Sequence, residues 1–226
     1  MWNAQGSGRP FGTAADCATV PAERAATLPE CASFTEGAGL GVPGCTAHYA
    51  VYGAGAVGHL AVQLATLGGA EVIATVSGRA KGDVARAGGA RHVINYRQED
   101  VAARVRDLTG GAGVDRVIEV DLAANLETDV AVLRPNGAIA SYSSTSGPEF
   151  SLAYYPLAFK DLRIHFVQGY LLPPVARRAA IRDLTTWLAA EQLEVRIANT
   201  FPLADTAAAH ELLESGRADG KVVVQI

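Results

Sequence analysis

From Gly53 onward the chain alternates two hydrophobic rhythms. Short runs rich in β-branched residues at 71–76, 91–95, 116–120, 138–142 and 164–167 are separated by stretches whose apolar positions recur at helical spacing. Runs of the first kind, bounded by turn residues, predict strands, and stretches of the second kind predict crossover helices. That pattern implies an α/β fold: a doubly wound, Rossmann-type parallel sheet with helices on both faces. Val57, Leu60, Ala61, Leu64 and Ala65 mark one helix, stopped at Gly68-Gly69. Val101, Val105 and Leu108 mark a second, ended by Gly110-Gly111, and a third covers 123–133 before the turn Pro135-Asn136-Gly137. Pro173-Pro174 punctuates the end of the sheet region and precedes a helix carrying Ile181, Leu184, Trp187 and Leu188. The expected division is therefore 1–47, 48–172 and 173–226.

A further strand is expected over 48–52. Tyr49, Val51 and Tyr52 have strand propensity, and a doubly wound sheet without its central member would leave backbone donors and acceptors unpaired on both neighbours. If those residues were helical instead, the following glycine loop would lose its rigid anchor, and tight binding there would be in doubt.

Composition narrows the class. With 226 residues, 49% hydrophobic and 19% charged, the chain can bury an ordinary core and has no signature of disorder. A net charge of −4 supplies no positive field for phosphate backbones, so nucleic acid is not an expected partner. No apolar run approaches the roughly 18 residues needed to span a bilayer, and the start lacks a basic region followed by an apolar one, so the default location is the cytoplasm. Cys17, Cys31 and Cys45 lie far apart, with no C-x-x-C pair and no His at ligand spacing. They read as small buried hydrophobes, and no metal site is expected.

The main chemical signal is Gly53-Ala-Gly55-Ala56-Val57-Gly58, a G-x-G-x-x-G at the mouth of a helix. Gly53 permits the tight turn, Gly55 lets backbone approach a pyrophosphate, and Gly58 allows close packing of helix on strand, with the helix N-terminus facing the anion. The next strand should end in Asp or Glu if the bound ribose carries a free 2′-hydroxyl. Here it ends Val76-Ser77 and continues Gly78-Arg79-Ala80-Lys81. Two cations and a hydroxyl suit a 2′-phosphate, so NADP(H) is expected in preference to NAD(H), a solvated basic turn being the alternative.

Taken in order, Gly-Val-Pro-Gly-Cys-Thr-Ala at 41–47, the glycine motif, Val-Ile-Asn-Tyr at 93–96, Thr-Gly-Gly-Ala-Gly-Val-Asp at 109–115 and Gly-Lys-Val-Val-Val at 220–224 resemble the zeta-crystallin-like quinone reductases of the medium-chain dehydrogenase/reductase family. The resemblance spans nearly the whole chain. It implies a Rossmann domain joined to a GroES-like catalytic domain, with 1–47 a part of the latter and 173–226 the return to it. It also implies zinc-independent hydride transfer from NADPH to quinones or related conjugated carbonyls, and a homodimer. By the same resemblance Ser77, Lys81 and Tyr96 hold the adenosine 2′-phosphate end, Thr46 approaches the nicotinamide half and Phe166 lines its pocket.

Two departures limit the carry-over. Trp2 and Gly-Arg-Pro-Phe-Gly-Thr-Ala-Ala at 8–15 resemble a point well inside the catalytic domain, so no substrate-positioning residue is assignable. Only residues 48–52 separate Ala47 from Gly53, where the family has a longer stretch containing the first Rossmann strand. Asp121, following the strand at 116–120, is a candidate ribose or substrate contact or a helix cap. His48 and His210 read as structural. Tyr154 and Tyr155 read as packed under a loop or as a stacking surface for a flat acceptor, and Phe166 has core packing as its alternative. Three classes stay open: an NADPH-dependent oxidoreductase, a noncatalytic NADP(H)-binding module, and a truncated, inactive reductase. The edge run at 164–167 is apolar enough to need cover and is the expected dimer contact.

Overall fold

The computed structural model describes residues 2, 3, 20–54, 58–218 and 220–226. The chain divides into two compact units, Met1–Cys45 with Gly169–Ile226, and Thr46–Gln168. Near the N-terminus β1 (Trp2–Asn3) pairs antiparallel with β2 (Ala25–Ala26), and α1 follows over Phe34–His48. Instead of stopping there, the chain continues as a π-helical turn over Tyr49–Ala54.

That turn overturns the strand expected at 48–52. No Gly or Pro separates Cys45 from Val51, and each residue added to an existing helix gains a backbone hydrogen bond at the cost of fixing one residue. Entering the sheet would instead have left the carbonyls of the last helical turn unpaired. Helical continuation buries Ala47 and Ala50 completely. The Arg116 guanidinium then donates to the carbonyls of Ala50 and Val51, at 3.1 and 2.7 Å.

The second unit continues with α2 (Gly58–Leu67), β3 (Ile73–Val76), α3 (Arg79–Ala87), β4 (His92–Asn95), α4 (Val101–Leu108), β5 (Val114–Glu119), α5 (Leu122–Val132), β6 (Leu133–Ser141), α6 (Tyr154–Ala158) and β7 (Arg163–Phe166). The pairings between its strands are parallel: β3 with β4, and β5 with β6 with β7. Among the described residues no strand lies between β3 and β5, so the parallel sheet is in two pieces. Side chains nevertheless cover both faces as double winding requires. Val76, Ala74 and Val93 meet Val62 and Ala85 from α2 and α3, whereas Ile73, Ile94 and Val117 meet Val105 and Val132 from α4 and α5. On the β5–β7 piece, Ile139 and Ile164 pack under Leu122 and Leu126 of α5. Ile118 and Ala140 point to the opposite face, toward Tyr49 and Ala50 of the π-helical turn.

Pro135-Asn136-Gly137, expected as the turn before a strand, sits inside β6. Leu133 pairs with Val114 and Ala138 with Arg116, so the intervening residues bulge out, with Asn136 at φ 63°. Lys160 closes the end of α5 by donating to the carbonyls of Val130, Ala131 and Leu133.

In the first unit, α7 (Pro174–Ala189) is followed by β8 (Ile197–Pro202), α8 (Thr206–Glu214) and β9 (Lys221–Gln225), with β8 and β9 parallel. A Cβ on Gly39 would lie 2.6 Å from Val195 Cγ1, and one on Gly44 would lie 3.1 Å from Leu184. Bare glycine backbone is what lets α1 pack so closely. No helix among the described residues is long and apolar enough to cross a membrane.

Candidate functional site

The candidate residues gather at the carboxyl ends of the strands, where open parallel sheets bind ligands, but in separate groups. The first lies on β3 and β4. Their register pairs Val76 with Asn95, and Tyr96 N–H donates to Val76 O at 3.1 Å, so Ser77 and Tyr96 leave adjacent strands side by side. Ser77 is half-buried, Tyr96 is 53% exposed, and Arg79 and Lys81 stand exposed on the first turn of α3. That turn carries no acidic residue. Asp83 pairs with Arg86 at 3.1 Å and Glu99 with Arg104 at 3.0 Å, so among the described residues the nearby carboxylates leave Arg79 and Lys81 without an ion pair.

The glycine loop departs from expectation. Gly53 belongs to the π-helical turn, and Gly55, Ala56 and Val57 lie outside the described residues. Gly58 opens α2 at φ 21°, and a Cβ there would meet nothing within 4 Å. Close packing on a preceding strand is therefore not what requires Gly58, because among the described residues of this unit no strand precedes it. Thr46 and His48 are both buried in α1, 6% and 4% exposed.

The second group is at the ends of β5, β6 and β7. A cavity of about 280 Å³ opens there, lined by Leu122, Ser141, Tyr142, Phe150, Phe166 and Gln168 among others. It is the size of a small ring site, at the low end of ligand pockets. Phe166 is 65% exposed, which excludes core packing. Tyr154 and Tyr155 are likewise uncovered, at 74% and 66%, in edge contact with ring centres 5.4 Å apart. They are not packed under a loop, because α6 presents them outward.

Asp121 makes no side-chain cap to α5. Its carboxylate accepts from Ser146 N–H at 3.0 Å, Thr145 Oγ1 at 3.1 Å and the Ser146 hydroxyl. The Ser146 bonds, strongest first, hold that carboxyl below its ordinary range. The donor at the start of α5 goes to Ser144 instead, whose hydroxyl accepts from Ala123 N–H at 3.1 Å and donates to Gly147 O at 2.8 Å. Asp121 thus ties the 143–147 loop to β5.

Sequence reasoning missed several residues here. Burial pushes the Tyr142 phenol up to about 12 against an opposing hydrogen bond from the Gly58 backbone, so this hydroxyl reaches the first N–H of α2. Glu119 and Asp129 are buried acids, 5% and 4% exposed. The signal for Asp129 was its place in the inward stripe Leu122, Leu126, Asp129, Leu133.

Of the cysteines, Cys45 is buried and its thiol is pushed up to about 11, chiefly by burial. Cys31 is exposed, contrary to expectation, and Cys17 lies outside the described residues. His210 is exposed on α8. Among the described residues no group of His, Cys, Asp and Glu is placed to hold a metal ion.

Residues 88–224 match the family model described as zinc-binding dehydrogenase. The chain is 30% identical to a 2-haloacrylate reductase of a Burkholderia species over 240 aligned residues, covering 95% of this chain and 71% of that protein. The structure matches that of Escherichia coli quinone oxidoreductase complexed with NADPH, with a TM-score of 0.80 and 29% identity over 91% of this chain and 69% of the other. It matches an NAD-dependent alcohol dehydrogenase with a TM-score of 0.85 and 28% identity over 96% and 66%. The chain spans about two thirds of these relatives' length. With the parallel α/β unit, the strand-end site and these matches together, the chain belongs to the zinc-binding dehydrogenase group of the medium-chain dehydrogenase/reductase family, in its quinone oxidoreductase branch.

Proposed function

We propose that this protein is a zinc-independent, NADP(H)-dependent oxidoreductase that reduces a quinone or related conjugated carbonyl. Relatives include both a quinone oxidoreductase bound to NADPH and an NAD-dependent alcohol dehydrogenase, so the nucleotide must be chosen by this chain's own residues. The observation that carries the reading is Arg79 and Lys81, unpaired among the described residues, beside Ser77 and Tyr96 on a helix turn that carries no acidic residue to repel a 2′-phosphate.

Bound NADPH would supply a hydride from nicotinamide C4 to the electron-poor acceptor, with solvent supplying the proton. The protein's part is positional. Ser77, Arg79, Lys81 and Tyr96 fit the phosphorylated adenosine end. Gly53, Gly55, Ala56, Val57 and Gly58 are the reading's pyrophosphate loop, and Thr46, Asp121 and Phe166 its nicotinamide half. The β5–β7 cavity, walled by Phe150 and Phe166, offers a ring-sized space at the strand ends. In this reading 48–172 is the dinucleotide domain, 1–47 belongs to a GroES-like catalytic domain and 173–226 returns to it. Its location is the cytoplasm.

A charge-assisted hydrogen bond is worth about 1.5–3 kcal/mol, so NADPH should bind roughly 10- to 100-fold more tightly than NADH. Fluorescence titration of Arg79→Ala plus Lys81→Ala should bring the two affinities together. Equal affinities in the unsubstituted chain would sink the assignment. One observation favours a second reading, a binding module without turnover: the helical 48–54 segment deprives the glycine loop of a strand anchor. Quinone-dependent NADPH oxidation separates the two, since saturable binding with no turnover leaves only the module.

A homodimer through β7 belongs to the same proposal. β7 is the edge of its sheet, and beside it Tyr154, Tyr155, Phe159 and Phe166 are all more than half exposed. Exposed edges and apolar patches of this kind invite a partner. Light scattering at micromolar concentration should return twice the chain mass, and a monomeric mass would count against it.

A further inference from the structure

Strand alternation points Glu119 to the same face of β5 as Val117, toward α5. The helix answers with Asn125 and Asp129, one turn apart. Glu119 Oε1 accepts from the Asp121 backbone N–H and from Asn125 Nδ2, the latter at 3.0 Å. Asp129 lies within hydrogen-bonding reach of Glu119, and its Oδ2 has no partner. Both acids are at least nine-tenths buried.

Two carboxylates in contact, with no cation paired to them among the described residues, do not both ionise in such a setting. Because Glu119 is already an acceptor, the proton between them belongs on Asp129, which then donates to Glu119. The Tyr142 phenol, just after β6, feels Glu119 and is pushed up to about 12, chiefly by burial, while several charges on surrounding elements are engaged elsewhere. Lys160 is bonded to the α5 carbonyls, Arg134 to Asp115, Arg104 to Glu99, and Asp121 to the 145–146 segment. Glu127 is exposed on α5, Arg106 on α4, and Arg163 and His165 on β7. Burial and Glu119 govern Asp129, in that order.

We propose that Glu119 and Asp129 share one proton and act as positioning residues: singly protonated, they fix the Asp121 backbone, and through its carboxylate the 143–147 loop that walls the β5–β7 cavity. Neither acid touches a ligand. The chain of contacts runs from Asp129 to Glu119, to the N–H of Asp121, to Thr145 and Ser146, with Ser143 and Ser144 on the cavity wall. Loss of the shared proton sets two negative charges against each other at the root of this chain, and the loop is released. That the loop bears on a nicotinamide rests on the proposed function; that the acid pair sets the loop does not.

The test is amide hydrogen exchange of residues 143–147 in the full chain without cofactor, normalised to intrinsic rates, across pH 6–9.5, beside NADPH affinity by fluorescence over the same range. Exchange should accelerate at least several-fold as pH rises through about 8, with NADPH affinity falling in parallel. Asp129→Asn keeps a donor toward Glu119 but cannot lose its proton, so both profiles should flatten. Glu119→Gln leaves one carboxyl facing an amide, so its step should move to lower pH; it decides the matter if Asp129→Asn fails to fold. Exchange independent of pH in the unsubstituted chain, or a step near 8 persisting in both variants, overturns the proposal. A step in exchange with no NADPH binding at any pH upholds the positioning pair and defeats the proposed function.

Discussion

Gly113→Ala should destabilise the protein by about 3 kcal/mol or more, read as the shift in urea unfolding. Gly113 enters β5 at φ 80°, a conformation that L-residues adopt at a cost, and its N–H is held by Thr109 Oγ1 at 3.0 Å. A Cβ there would lie 2.7 Å from Val132 O and 2.9 Å from Arg134 N. Those atoms are backbone of the β6 entry and cannot swing aside as a side chain would. The relief available is to slide β5 against β6, which would disturb the register that brings Glu119 level with Ser141. Gly111→Ala is the control. It shares the left-handed backbone, at φ 86°, but its Cβ would meet nothing within 4 Å. Its cost should be near the conformational strain alone, about 1 kcal/mol. If the two substitutions cost the same, the close approach of β6 to Gly113 is wrong.

The second large effect is on stability as a function of pH. Burial, reinforced by Glu119, pushes the Asp129 carboxyl up to about 8 in the folded chain, whereas an unfolded Asp releases its proton near pH ~3.9. Between those values the folded state binds one proton more than the unfolded state. Raising the pH therefore favours unfolding, with a slope of at most about 1.4 kcal/mol per pH unit. The stabilisation is complete below pH ~4 and is lost as pH rises through about 8. Asp121 works in the opposite sense, its held-down carboxyl losing stabilisation only as the solution becomes acid. Urea unfolding between pH 5 and 8.5 should show the decline in the unsubstituted chain and a flatter profile in Asp129→Asn, with titrating groups that do not interact with the Glu119–Asp129 pair cancelling in the difference. A difference that is constant with pH, or that grows in the other direction, would refute the protonated state assigned to Asp129.

Periodicity carried most of the α/β unit. The β-branched runs became β3 to β7, with ends displaced by a few residues, and the apolar stripes became α2, α4 and α5, because period 2 and period 3.6 each bury one face only in the matching conformation. The short crossover α6 had no such signal. The basic turn after β3 was equally readable, since its charge is set by the residues that directly follow the strand in the chain. What the sequence by itself determined, then, is the parallel α/β class, the position of the glycine motif and the charge of the Ser77–Lys81 turn. These depend on neighbours in the chain.

Only the tertiary structure decided the rest. At 48–52 strand propensity competed with helix propagation, and the outcome turned on the buried seat of Ala50 and on Arg116, far along the chain, closing the helix end. Asp121 read equally well as a cap or a ligand contact until the 143–147 loop folded back and claimed its oxygens. The Glu119–Asp129 pair was invisible for the same reason. An acid at the end of a strand and an acid in a helical stripe are each unremarkable until packing removes water from both and leaves them one another as partners.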